Sequence, residues 1–209
     1  MLHKMNYTHI VLIPKDDPKN VSDHWPINLG NVVSRIVSKI LANRLKLILP
    51  NVILDSQSAF VPNWLITDNT TVAFEVLHRI RNKRTGKIGQ TAIKLDISKV
   101  YDQVKWEFLR HIMLKLGIDA QWVQLAMETV TTTSNSVIVN GKPKGFVTHS
   151  RGIRQGDLLS PYLFLLCAEG FSSLIRKAMA SQSIHGILSC TNGVCISHLL
   201  FANDSFIFC

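Results

Sequence analysis

The side chains in this chain best suited to metal-assisted chemistry are carboxylates at the ends of apolar runs. The last dozen residues, His198–Cys209, set Asn203, Asp204 and Ser205 between Leu199–Phe201 and Phe206–Phe208. Apolar β-formers on both sides of an Asn-Asp pair predict a tight hairpin with its polar residues at the tip. Such a tip holds a carboxylate rigidly at the edge of a buried sheet. One carboxylate binds a divalent cation weakly, so a partner must come from elsewhere. The stretch Ala92–Asp102 supplies the best candidate: Asp96 ends another apolar strand and Asp102 opens the next helix. Two Asp-bearing strands about a hundred residues apart, in a basic chain, point to metal-dependent phosphoryl transfer on nucleic acid.

Composition sets the frame around those residues. The chain has 209 residues, enough to bury a sizeable core as one large domain or two small lobes. Lys and Arg outnumber Asp and Glu by 23 to 14, a formal charge of +9, which favours a polyanionic partner without identifying it. A ribosomal or membrane-surface protein has the same balance. No apolar run reaches the roughly 18–20 residues of a membrane span, and the start lacks a signal-peptide pattern. These features place the protein inside the cell, nuclear or cytoplasmic, and not secreted. Four cysteines (Cys167, Cys190, Cys195, Cys209) read as reduced thiols. Cys190, Cys195 and His198 invite a zinc reading, but their spacing fits no compact finger and a fourth ligand is lacking.

The elements that must position the carboxylates follow in order. His9–Lys15 is a short strand stopped by Pro14, and a polar, turn-rich loop leads to Trp25–Leu29, which returns to the core. Apolar residues at spacings of three and four from Val32 to Ile48 predict a helix ended by Pro50. Its basic residues Arg35, Lys39, Arg44 and Lys46 form either a solvated face or a nucleic-acid contact. Thr67–Arg81 reads as a helix, followed by a basic turn at Lys83–Lys87. Ala92–Leu95 is the strand that delivers Asp96. Helices are predicted over Val104–Gly117, with Trp106, Phe108, Leu109, Ile112, Met113 and Leu116 inward, and over Ala120–Val130. Trp106 and Trp122 sit at helical apolar spacing and read as core.

Ser136–Val139 and Gly145–Val147 flank Asn140-Gly141, a strong hairpin signal. Ser150–Asp157 follows, with glycines on both sides of Arg154-Gln155 that let backbone approach a ligand closely. Residues 160–180 form a near-continuously apolar helix, and His185–Leu188 holds a short strand before the terminal hairpin.

Five blocks, in order, carry a family resemblance. They are Ile13-Pro14-Lys15 with Trp25-Pro26-Ile27-Asn28-Leu29, then Gln57–Pro62, then Lys94–Asp102, then Arg151–Asp157 with Leu158–Gly170, and Phe201–Asp204. From Ile10 to Phe208 the chain resembles the reverse transcriptase of non-LTR (LINE-type) retrotransposons, most of all the plant kind. The resemblance implies an α+β fold of right-hand polymerase type, with an antiparallel palm sheet packed on helices. Residues 1–90 are implied to be fingers and 91–209 palm, with the thumb missing.

It also implies roles. Asp96 and Asp204 hold metal, and Asn203 stands where the family has the more important bridging Asp. Lys15, Tyr101, Arg154, Gln155 and Gly156 meet the incoming nucleotide, Tyr101 beneath its sugar as a gate against a 2′-hydroxyl or, in the plainer reading, as a packed ring. Arg35, Lys39, Arg44 and Lys46 lie along the template. Two Mg²⁺ ions are the expected cofactors, and an RNA template, a DNA primer and deoxynucleoside triphosphates the partners, with no membrane and no assigned oligomeric state. The family arginines are Trp25 and Trp64 here, and the family proline is Leu158. An indole does not replace bidentate phosphate contacts. Loss of a ligand carboxylate at Asn203 predicts activity lower by roughly two to four orders of magnitude. The competing expectation is a nucleic-acid-binding remnant without catalysis, and the plainest is an unstable pseudogene product.

Overall fold

A computed structural model describes residues 6–54, 57, 66–84, 89–97, 99–188, 193–201 and 204–209. Asn203, Asn63, Trp64, Leu65, Cys190 and residues 85–88 of the basic turn lie outside that set, as does most of the Gln57–Pro62 block. The described elements are β1 (Tyr7–Pro14), β2 (His24–Leu29), α1 (Val32–Val52), α2 (Ile66–Asn82), β3 (Ala92–Asp96), α3 (Val100–Gln103), α4 (Trp106–Lys115), α5 (Ala120–Thr131), β4 (Ser134–Val139), β5 (Lys142–Thr148), α6 (Ser160–Ala180), β6 (Ile187–Leu188), β7 (Cys195–Ile196), β8 (His198–Phe201) and β9 (Asp204–Phe208). They form two compact units, each of two chain segments: residues 1–47 with 101–163, and residues 48–100 with 164–209. Compactness therefore crosses the boundary at residue 90 that the fingers and palm roles suggest.

The first unit holds a four-stranded sheet in the order β2-β1-β4-β5. β1 runs antiparallel to β2, pairing Pro14 with His24, and parallel to β4, pairing Tyr7 with Ser134. Asn140 and Gly141 both take positive φ (51° and 74°), the backbone a two-residue hairpin loop needs, and so turn β4 into β5. Trp25–Leu29 does not return to the core as expected. β2 is an edge strand with one neighbour, and Trp25, Ile27 and Leu29 remain exposed. Pro26 is tolerated there because an edge strand has a free side that needs no N–H donor. α4 and α5 lie against each other, and each buries one side, Leu109 and Met113 on α4 and Val123, Ala126 and Val130 on α5. The predicted helix from Val104 is shorter: α3 is a separate turn and α4 starts at Trp106. Its end is as expected, because Gly117 (φ 80°) lets its own N–H reach the Leu114 carbonyl and that of Ile118 reach the Met113 carbonyl. Phe108 is exposed rather than inward.

α1 continues past Pro50 to Val52. A proline in a final turn removes one donor but does not force an end. The apolar pattern of α1 divides into two faces. Leu41, Ala42, Leu45 and Leu49 are buried, whereas Val33, Ile36, Val37, Ile40 and Leu47 are exposed. At 100° per residue, Arg35, Lys39 and Lys46 fall within one narrow sector and Arg44 lies nearly opposite them.

The second unit is built on a three-stranded antiparallel sheet, β3-β9-β8, with β9 in the centre. One face packs on α2: Ala73 and Val76 meet Leu199, Phe208 and Ile187, with Ala92 and Phe206 at the margin. The other face carries Leu200, Ser205 and His198, all buried. The His198 ring joins the Ser172 hydroxyl of α6 at 2.7 Å through Nε2 and the Ser197 hydroxyl at 2.8 Å through Nδ1. Glu169, also on α6, accepts the Leu54 N–H at 3.2 Å and pairs with Arg176 at 3.5 Å, and burial raises its pKa. Burial pushes the Cys167 thiol up to about 12, so it serves as an inert packing group. Among the described residues no group of three His, Cys, Asp or Glu side chains is placed to hold a metal, and His198 is committed to serines.

His198 gives the fold a pH dependence. Burial, then the Arg176 charge, hold its pKa below the usual histidine value. The unfolded chain therefore binds its proton more readily, so this contribution is full above about pH 6.5 and declines as pH falls through that value. Glu169 is shifted the other way, and a comparison of variants cancels it. Urea unfolding at pH 7.5 and 5.5 is expected to show a larger loss of stability in the parent chain than in His198→Gln.

Candidate active site

The carboxylates expected to act together are brought together by strand register. β3 and β9 pair Ala92 with Phe208, Lys94 with Phe206 and Asp96 with Asp204. Directly opposed residues of an antiparallel pair share a face, with Cβ atoms about 4.5–5.5 Å apart. Asp96 and Asp204 therefore stand side by side at one end of the sheet, on the face whose other end is packed under α2. β9 also pairs Asp204 with Phe201 of β8, so this residue, expected at a turn, is the first of a strand held from both sides. Asp96 is exposed and Asp204 partly so. Two anionic oxygen groups at an open sheet end suit a hard divalent cation. Lys94, two residues before Asp96 and on the same face, places its Nζ 3.1 Å from Asp204 Oδ1.

The residues expected to meet a nucleotide, Lys15, Tyr101, Arg154, Gln155 and Gly156, belong to the first unit. Lys15 is exposed, with its Nζ 4.6 Å from the centre of the Trp25 ring. The indole that stands where the family has an arginine thus engages the neighbouring lysine through its π face. Arg154 is turned inward. Its Nη2 donates to the Asn6 carbonyl at 3.1 Å, to Asn6 Oδ1 at 2.6 Å and to Thr133 Oγ1 at 3.2 Å, and its Nη1 lies 3.8 Å from Asp157. Burial lowers its pKa, and Asp157 acts in the opposite sense. Asp157 in turn accepts the Ser38 hydroxyl at 3.0 Å and the Leu159 N–H at 2.8 Å. Gln155 and Gly156 are exposed, and Gly156 has φ 84°. A cavity of about 490 Å³ opens beside them, lined by Ile10, Pro26, Asn28, Asp102, Arg151 and Gln155 among others.

A seam links the segment after the first carboxylate to this loop. The Gly152 N–H donates to the Val104 carbonyl at 2.7 Å, the Ile153 N–H to the Tyr101 carbonyl at 2.9 Å, and the Trp106 indole N–H to the Gly152 carbonyl at 2.7 Å. Sequence reasoning assigned Trp106 to the core by its spacing and missed this bond. No local pattern carries it, because the acceptor lies 46 residues away. Tyr101 is half-buried, and burial raises its phenol pKa. Lys94 was also missed, although the period of two along a strand puts it beside Asp96. On α1, Arg35, Lys39 and Arg44 are exposed, while Lys46 is partly covered, with its Nζ 5.1 Å from the centre of the Tyr162 ring.

The seam depends on glycine. At φ 90°, a Cβ added to Gly152 would lie 3.2 Å from Asp102 Cα and 3.3 Å from the Tyr101 and Asp102 carbonyl oxygens, all of them backbone. Gly152→Ala is expected to cost about 1–3 kcal/mol of stability from positive-φ strain and the forced shift, measured by urea unfolding, with Gly89→Ala as the control at an open position.

Comparison with known proteins follows the same outline. The family described as reverse transcriptase (RNA-dependent DNA polymerase) matches residues 13–209. A 68-residue stretch is 54% identical to an uncharacterized mitochondrial protein of Arabidopsis thaliana, covering 32% of this chain and 56% of that one. An uncharacterized 149 kDa protein of the transposon TX1 of Xenopus laevis is 31% identical over 80% of this chain and 13% of its own length. The Pol polyprotein of the type-1 retrotransposable element R2 of Popillia japonica is 27% identical over 92% of this chain and 26% of its own length. The chain thus spans about half or less of the curated relatives it matches. Among solved structures, apo telomerase from Candida tropicalis truncated from its C-terminal domain superposes with a TM-score of 0.61 at 13% identity, over 98% of this chain and 44% of that one. Telomerase from Candida albicans gives 0.60 over 99% of this chain and 37% of that one. At such identity the likeness establishes the fold alone.

Proposed function

The chain belongs to the reverse transcriptase (RNA-dependent DNA polymerase) family, and from that premise we propose that it is the nucleotidyl-transfer domain of a non-LTR retrotransposon polyprotein, weakened in this copy. The observation that carries the reading is the register that sets Asp96 opposite Asp204 at an open sheet end. In this reading the 91–209 segment supplies the palm's chemistry and the 1–90 segment the fingers' contacts, as roles assigned to a chain whose compact units draw on both.

Asp96 and Asp204 would hold Mg²⁺, and their hard anionic oxygens fit it. When bound, the metal's contribution is to lower the cost of forming the attacking 3′-oxygen and of releasing pyrophosphate. The chain's own residues do the rest. β9 keeps the carboxylates side by side. The Arg154–Asp157 network holds the loop that presents Gln155 and Gly156, and Lys15 contributes a cation toward a triphosphate. Tyr101, fixed through its carbonyl to Ile153, stands as the sugar gate. The partners are an RNA template, a DNA primer and deoxynucleoside triphosphates. No described helix is long and apolar enough to cross a membrane. The reading places the protein's work on nucleic acid in the nucleus or cytoplasm.

Asn203 is neutral where the resemblance implies an anionic metal ligand. In primer extension on an RNA template with Mg²⁺, Asn203→Asp is expected to raise the rate by roughly two to four orders of magnitude, and adding Asp96→Ala to that variant to abolish it. Equal extension by the parent chain and Asn203→Asp would refute the claim of weakened activity.

A second reading, nucleic-acid binding without catalysis, draws on Arg35 and Lys39, exposed one turn apart on α1. It predicts RNA affinity that falls linearly on a log–log plot against salt. Replacing both cations with alanine is expected to reduce that slope by roughly 1–2 units, as measured by fluorescence anisotropy.

A further inference from the structure

We propose that Lys94 is a built-in competitor for metal at the carboxylate pair, so that a divalent ion gains Asp204 only by displacing its ammonium. The inference rests on the reading of Asp96 and Asp204 as the metal-holding residues and names a regulator within that same site.

Three observations converge on Lys94. Strand alternation puts its side chain on the face of Asp96 and Asp204, one register step along the sheet. Its Nζ lies 3.1 Å from Asp204 Oδ1, within reach of a charge-assisted hydrogen bond to an atom a metal would need. The pair also borders a cavity of about 340 Å³ whose lining is mostly apolar, with Ala73, Phe74, Leu77, Leu199, Phe201 and Phe206 around Lys94 and Asp204. That lining leaves fewer water dipoles to screen the attraction on its side, while the other side stays open to solvent, with Lys94 56% and Asp204 38% exposed.

The charge count gives the consequence. The two carboxylates and one ammonium sum to −1, and Asn203 adds nothing. A divalent ion on Asp204 Oδ1 must break the contact with Lys94 and then face a like charge a few ångströms away. Because Lys94 has a long, half-exposed stem, it can swing into solvent, so it sets a threshold and does not block the site. The site is therefore tuned by a group that donates nothing to the metal.

The test is a Mn²⁺ titration by isothermal calorimetry and by loss of the free-ion electron paramagnetic resonance signal, on the whole chain and on its Asn203→Asp form. Circular dichroism and thermal melting verify folding. Lys94→Met is expected to tighten Mn²⁺ binding roughly two- to five-fold. Lys94→Arg, which keeps the charge, should leave binding near the parent value, and Asp204→Asn should remove the gain made by Lys94→Met. Folded Lys94→Met protein that binds Mn²⁺ no more tightly than its parent overturns the competitor. The site reading fails separately: if Asp96→Ala leaves Mn²⁺ binding intact in the Asn203→Asp, Lys94→Met chain, the bound metal is elsewhere and both ideas fall. If Asp96→Ala removes binding but Lys94→Met never changed it, the carboxylate site stands and only the competitor is lost.

Discussion

One strand register decides whether Asp96 and Asp204 can act together. A strand has a period of two, so a slip of one residue between β3 and β9 would send Asp96 and Asp204 to opposite faces and bury one of them. The register is locked from several directions. β9 is the central strand and is held by β3 and β8 at once. Beyond its end, Thr91 and Cys209 exchange backbone hydrogen bonds in both directions, at 2.6 and 3.0 Å. The two faces are incompatible with exchange: one buries Phe208 and Leu199 under α2, the other buries His198 against Ser172 of α6. A slip would expose aromatic surface and bury charge. The carboxylate pair is therefore positioned through the strand register, which apolar packing several residues away holds in place.

The first unit solves a similar problem with hydrogen bonds. Its loop at residues 150–157 has little apolar content to pack, so it is tied by backbone donors to Tyr101 and Val104, by the Trp106 indole to Gly152, and by the Arg154 guanidinium to Asn6 and Thr133. Glycine at 152 permits the approach that makes these bonds short. Such a seam is specific but stores little hydrophobic energy, since a typical hydrogen bond contributes only about 0.5–1.5 kcal/mol net. Its precision comes from having several bonds that fail together.

The sequence made the chemistry more legible than the packing. The strand ending at Asp96, the Asn140-Gly141 turn and the Gly117 helix stop all rest on local rules, and each is found where those rules place it. The terminal pair β8–β9 forms as expected, but Asp204 and Ser205, expected at its polar tip, belong to β9, with Ser205 buried. What local rules misjudge is which apolar residues find a partner. Trp25, Ile27 and Leu29 look like core but lie on an edge strand, and α1 buries only one of its two apolar faces. Hydrophobic spacing says that a side can be buried, whereas sheet order and neighbouring elements decide whether it is. The same limit applies to Arg154, expected from the resemblance to meet a nucleotide, whose Nη2 donates to residues 21 and 148 positions away that no local pattern points to.

The charged side chains that matter to the polymerase reading make internal contacts in each unit. In the first unit Lys15 rests over Trp25, and in the second Lys94 rests on Asp204. Both are internal contacts made by groups that the polymerase reading places near substrate or metal. Neither is strong: an exposed cation–π contact is worth about 0.5–1 kcal/mol and an exposed ion pair about 0.2–1 kcal/mol. Contacts of that size are easily exchanged for a more highly charged partner. The internal partners therefore shift occupancy by modest factors. The missing carboxylate at Asn203 and the missing guanidinium at Trp25 are a different kind of change. No side-chain rearrangement supplies a charge that the residue lacks, so under the polymerase reading these two positions, unlike the lysine contacts, are the ones a change of rotamer does not restore.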